Sequence, residues 1–151
     1  MAAGLTLEQQ VALLRRWFPK AAPWSKTIAG AAVLHFRLRL RPTPTSETYT
    51  VLFVYALGIR PLVYVEDPEP VTEAHGQPTP HLNGDGTLCL YDPTKREWTA
   101  ADPLVYTTVQ WTVRWLYHYE HWLTFGEWRG DHDEPEIPAP HLSDAGTEEA
   151  A

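Results

Sequence analysis

From Ala31 onward the chain alternates strictly: Leu34, Phe36, Leu38 and Leu40 share one face, while His35, Arg37, Arg39 and Arg41 share the other. A helix does not sort residues with period two, so this stretch is a strand with one buried and one solvated face, the habit of antiparallel sheets. Pro42, Pro44 and Ser46 break the pattern, and residues 49–56 then read as a strand that is apolar on both faces and hence more central. Gly58 and Pro61 punctuate again before a third apolar run at 62–65, which Pro68 and Pro70 close. Consecutive strands usually lie side by side, which makes an antiparallel meander of about four strands the simplest topology.

Helical spacing flanks this region. Thr6 with Gln9 forms a capping-box pattern, and Leu7, Val11, Leu14 and Phe18 then recur as one face of a helix over 7–18 that Pro19 stops. Asp102 as N-cap and Pro103 as first helical residue predict a second helix over 103–125. Its Val105, Val109, Trp111, Trp115, Leu116, Tyr119, Trp122 and Leu123 present a wide aromatic face to the sheet. Helices flanking an antiparallel meander give an α+β class. With 151 residues, the chain is one domain of the usual ~150. Residues 1–130 carry the pattern, and 131–151 are expected to be an acidic, Pro-containing, disordered tail.

The net charge of −7 disfavours a phosphate backbone as partner, so nucleic acid is not expected. No apolar run approaches the ~18 residues of a membrane span, and residues 1–6 lack a signal-peptide pattern. The one cysteine, Cys89, cannot form a disulfide within the chain. A soluble cytoplasmic protein follows as the expectation.

Between 72 and 98 Gly, Pro, Asn and Asp recur without a period, and a loop of that length inside a compact domain is usually functional. Its core is His81-Leu82-Asn83-Gly84-Asp85-Gly86-Thr87-Leu88-Cys89-Leu90-Tyr91-Asp92, with Trp98 after it. A cysteine nucleophile needs access, polar surroundings and donors for the oxyanion formed when an acyl group is attacked. His81, Asn83 and the amides of a glycine-rich turn can supply them. Cys89 between Leu88 and Leu90 also reads as a small buried hydrophobe, and the residues alone leave both readings open.

Taken in order, His81-Leu82-Asn83, Gly86, Leu88-Cys89-Leu90 and Trp98 resemble the active-site stretch of the ubiquitin-conjugating enzyme (UBC) family. Members carry a His-Pro-Asn element, a glycine-containing turn, an Ile/Leu-Cys-Leu segment and a later Trp. Pro80-His81, Gly86 through Tyr91, Trp115-Leu116, Tyr119-Glu120, Trp122, Gly126, Trp128 and Gly130 look more specifically like the bacterial branch found in antiphage operons, CBASS among them. Leu82 replaces the family's proline, and His81 stands closer to the cysteine than in eukaryotic members.

The resemblance implies a UBC-like fold over most of 1–130 and a transferase. Cys89 would carry a protein's C-terminal carboxyl as a thioester and pass it to a lysine amine. The implied acyl donor is a cGAS-like nucleotidyltransferase or a ubiquitin-like protein, with a separate activating enzyme or a donor already primed, because no nucleotide-binding glycine motif is present. No cofactor is expected. Asn83 becomes the oxyanion donor or a turn cap, His81 a site-shaping residue or a general base, and Asp92 an orienter of the incoming amine or part of an Asp92-Pro93 turn. Gly86, Leu88, Leu90 and Trp98 shape the site. A non-catalytic scaffold of the same fold is the alternative function.

Other constellations read as structure. His118 and His121, three apart with Asp131, His132 and Asp133 downstream, match no strong zinc spacing and are explained by aromatic helix packing. Arg37, Arg39 and Arg41 on one strand face read as a solvated face, with an acidic partner surface as the alternative. Of three lysines, Lys20, Lys26 and Lys95, the last lies nearest Cys89 in sequence and is the self-modification candidate.

Overall fold

The structure is a computed structural model that describes residues 4–57, 59–90 and 98–129. The element order is α1 (Leu7–Trp17), β1 (Trp24–Ile28), β2 (Ala31–Leu40), β3 (Tyr49–Ala56), β4 (Leu62–Asp67), the short pair β5 (Glu73–Ala74) and β6 (Gln77–Pro78), a 3₁₀ turn Leu104–Tyr106, and α2 (Thr108–Phe125). The α+β class and the antiparallel meander are as expected, and the arrangement is consistent with a UBC-like fold. The expected tail at 131–151 lies outside the described residues, as do Asp92, Lys95, Gly130 and the Asp131-His132-Asp133 run.

The four main strands lie in the order β1-β2-β3-β4, all antiparallel. Register follows the alternation: Phe36 stands opposite Phe53 and Leu38 opposite Val51, so every inward residue of β2 meets an inward residue of β3. Phe36 and Phe53 stack at 4.8 Å between ring centroids. The inner face closes against α1 and α2 in one core that includes Leu14, Phe18, Leu38, Val51, Val65, Val109, Trp115, Leu116 and Trp122. On the outer face Arg37 lies over Trp24 and pairs with Glu66 at 2.7 Å, so this arginine is tied down rather than simply solvated.

The first helix starts as predicted, with the reciprocal Thr6 and Gln9 capping bonds at 3.1 and 2.9 Å. The second does not. The Asp102 carboxylate accepts from the Thr99 amide at 2.9 Å, Pro103 is extended, and the regular helix begins only at Thr108. The reason is distant in sequence: the buried Gln10 side chain takes the Leu104 amide at 2.8 Å and donates to the Asp102 carbonyl at 3.1 Å. That contact fixes the backbone where a helical first turn was expected. Within α2, Leu123 proves exposed, while Thr108, Thr112 and Val113 join the buried face. No described helix is long and apolar enough to cross a membrane.

Candidate active site

The expected structureless loop is in fact built on the sheet. After the β5–β6 pair, Leu82 bridges Leu88, with Cys89 N–H donating to the His81 carbonyl at 2.9 Å and Asn83 N–H to the Thr87 carbonyl at 2.8 Å. Residues 81–89 are therefore a small hairpin. Its second arm is sewn to β4, since Thr87 bridges Tyr64 and Leu88 N–H donates to the Val63 carbonyl at 2.9 Å. Backbone ladders leave little slack, so Cys89 is located by the same bonds that locate the sheet. Thr87 and Leu88 are both buried, 4% and 6% exposed, while Cys89 at the end of the arm stays partly accessible and outside any disulfide.

The turn is held from within. Gly86 has φ of +90°, a conformation that a Cβ disfavours, and it donates to the Asn83 carbonyl at 3.0 Å. Asp85 accepts the Thr87 hydroxyl at 2.6 Å and the Thr87 amide at 3.0 Å, and Asn83 Nδ2 donates to Thr87 Oγ1 at 3.0 Å. The Thr87 hydroxyl bond and then its amide bond hold the Asp85 carboxyl below the usual carboxylate range. One amide hydrogen of Asn83 is thus spent on closing the turn, the second of the two readings its sequence allowed.

His81 occupies the base of the hairpin in a left-handed backbone conformation, φ +55°, which costs a residue with a Cβ about 1–2 kcal/mol. Its carbonyl accepts a second donor, Trp115 Nε1 from α2, at 2.9 Å. Its ring lies 5.2 Å from that of Trp128, which also packs on Trp115 at 5.4 Å and His118 at 5.9 Å. Trp98 is buried, with its ring edge-on to Tyr55 at 5.1 Å. Leu90 is half-buried against the core.

The structure therefore brings together His81, Asn83, Gly86, Leu88 and Cys89. Asp92 lies outside the described residues. Sequence reasoning missed Asp85 and Thr87 as the internal brace of the turn, although an Asp two residues before a Thr in a glycine-rich turn is the signal for it. It also missed Trp115 as a donor to the loop, which no local pattern announces. Among the described residues no group of three His, Cys, Asp or Glu side chains is placed to hold a metal ion. His118 is packed among Tyr117 and Trp128, and His121 against Phe125.

Compared with known families, residues 10–135 match the model of the type II CBASS E2 protein, E2-CBASS. The chain belongs to the CBASS E2 family. That family places it in CBASS antiphage defence, as an E2-like component that works with other proteins of the system. No curated protein matches the chain.

Proposed function

We propose that this CBASS E2 chain is an acyltransferase in which Cys89 carries a protein C-terminus as a thioester and delivers it to a lysine amine. The observation that carries the reading is the setting of Cys89: a partly accessible thiol on a hairpin whose backbone is bonded on one side to His81 and, through Leu88, to β4 on the other. A cysteine recruited only for packing needs no such access.

The reaction is two acyl exchanges. In the first, the Cys89 thiolate attacks the carbonyl of a C-terminus activated as an acyl adenylate or thioester by a separate enzyme. The activating group leaves with the bonding pair. In the second, a neutral lysine amine attacks the Cys89 thioester, an isopeptide bond forms, Cys89 departs as thiolate, and the amine proton passes to solvent. Both intermediates place negative charge on the carbonyl oxygen, for which the second Asn83 amide hydrogen is the donor assigned here, since the turn amides of Asn83, Gly86, Thr87, Leu88 and Cys89 are spent within the hairpin and on β4. His81, Gly86, Leu88, Leu90 and Trp98 keep the nucleophile in place, and Asp92 orients the amine. The donor is a protein of the same defence system, a cGAS-like nucleotidyltransferase or a ubiquitin-like protein.

Co-expression with the other proteins of the system, followed by non-reducing electrophoresis and intact mass measurement, tests this. The wild type should give an adduct that thiol reagents release. Cys89→Ala should give none, and Cys89→Ser an oxyester that resists thiols. A stable complex with no covalent adduct in any of the three would replace the transferase with a scaffold.

A further inference from the structure

The α2 helix ends at Gly126, whose left-handed conformation, φ +75°, turns the chain sharply out of the helix. Two residues later Trp128 lies beside Trp115 and His118, residues a full two turns or more earlier on the helix. The chain has doubled back. At the place it reaches, Trp128 also touches the His81 ring, and His81 is where the geometry of the nucleophile is decided. One carbonyl there receives both Cys89 N–H and Trp115 Nε1–H, each at 2.9 Å.

His81 holds a backbone conformation that its Cβ disfavours, so something must hold it there. Among the described residues, contacts that do so include three: the cross-strand bond from Cys89, the indole bond from Trp115, and the ring of Trp128. The first belongs to the hairpin itself. The other two come from α2 and from the segment that folds back after it.

We infer that Trp115 and Trp128 are positioning residues for Cys89, acting through His81: the segment that folds back after α2 clamps the His81 backbone in its left-handed conformation and so sets the nucleophile. The imidazole contributes a surface for Trp128 to press on, and its acid–base chemistry is not used. The consequence for catalysis rests on the acyl-transfer reading above, but the clamp itself does not.

The clamp is therefore read first without catalysis, by amide hydrogen exchange at Cys89, with the Phe53 amide in β3 as the reference for overall stability. Trp115→Phe keeps a ring and removes the donor. Trp128→Ala removes the pressing surface from a half-buried site whose loss the core should survive. Each should speed exchange at Cys89 by about fivefold or more beyond any change at Phe53, as expected for loss of a local restraint.

The decisive pair is at position 81. Glycine adopts the left-handed conformation readily and alanine does not. His81→Gly should therefore retain slow exchange at Cys89, His81→Ala should lose it, and His81→Gly should restore protection in the Trp128→Ala background. Equal impairment of the glycine and alanine variants would overturn the inference by making the imidazole itself the acting group. So would unchanged protection of Cys89 in both tryptophan variants, or loss at Phe53 in step with Cys89. Absence of any adduct from the wild type, with the exchange pattern as expected, speaks against the acyl-transfer reading alone and leaves the clamp supported.

Discussion

Asp85 is solvent-facing, yet one of its oxygens braces the turn that leads to Cys89 by accepting both Thr87 donors. Because its folded-state pKa is lowered, the brace contributes above the ordinary carboxylate value of about 4 and is lost as pH falls through the lowered folded value. We expect an NMR titration of the Asp85 carboxyl to show a midpoint below that of an unfolded aspartate. Asp85→Asn should abolish the acid-induced loss of Thr87 amide protection, measured relative to the intrinsic exchange rate at each pH, and an ordinary aspartate midpoint would remove the brace from the picture. At this scale the sequence was informative in a particular way. The order His81, Asn83, Gly86, Leu88, Cys89 stood out through its likeness to a family's active-site stretch, whereas composition gave only a long loop and not the hairpin that the Leu82–Leu88 bridge makes of it. What Thr87 does within it follows from the same turn chemistry once the hairpin is seen. The Trp115 bond to the His81 carbonyl was out of reach, since an indole donor on a helix says nothing about which carbonyl it will find.

Elements were legible where burial imposes a period. The bounds of β2 and β3 could be read to within a residue, from the alternation of 34–41 and the apolar run of 49–56, although His35, expected on the solvated face, is buried against Trp24. The edge strand β1 escaped notice because four of its five residues are exposed, so no apolar rhythm marks it. It is a strand because β2 pairs with it across the tight Ala29-Gly30 turn, both residues in the left-handed region. The helix start failed for the converse reason: Asp102 and Pro103 are good local signals, overruled by the distant side chain of Gln10. The far end of α2 is joined to the sheet by an equally nonlocal link. Glu120 accepts the Ser46 hydroxyl at 2.6 Å and the Tyr49 hydroxyl at 2.8 Å. Burial first, and then the hydrogen bond to Glu120, raise the Tyr49 pKa well above the usual phenol value. A raised folded pKa contributes fully below the unfolded value of about 10, and its contribution is lost as pH rises beyond it, because the unfolded chain releases a proton that the native one keeps. Urea unfolding between about pH 10 and 11.5 should thus show stability falling with pH, and Tyr49→Phe should make that fall shallower, by up to about 1.4 kcal/mol per pH unit at the upper end. An unchanged slope would mean that Tyr49 ionises in the native state as freely as in the unfolded one. Tyr119, whose pKa burial also raises, remains in the variant and accounts for any residual slope.

At the scale of the molecule, one core serves the sheet, both helices and the arm that carries Cys89: Leu88 and Trp98 belong to the same buried cluster as Phe36 and Trp122. A single cluster of this kind predicts one cooperative transition, with tryptophan fluorescence and far-UV circular dichroism lost together. It also divides the residues by what their removal should cost. Phe36 is fully buried and stacked on Phe53, so Phe36→Ala should cost about 3–5 kcal/mol, a large part of the ~5–15 kcal/mol that holds a domain of this size. For a chain of this length that is roughly a 10 °C fall in Tm. Cys89, two residues along the same sheet extension from the buried Thr87, should behave otherwise: Cys89→Ala is expected to shift stability by less than about 1 kcal/mol. The comparison bears on function as well as folding, because the residues alone allowed Cys89 to be either a nucleophile or a small piece of core. If Cys89→Ala lowered the Tm by a large fraction of the Phe36→Ala effect, the thiol would be part of the packing, and its place at the end of a backbone-locked hairpin would need no chemistry to explain it. A Tm that stays near the wild-type value while the covalent adduct disappears would separate the two roles, with the aromatic core supplying stability and the hairpin on the sheet edge supplying the reaction.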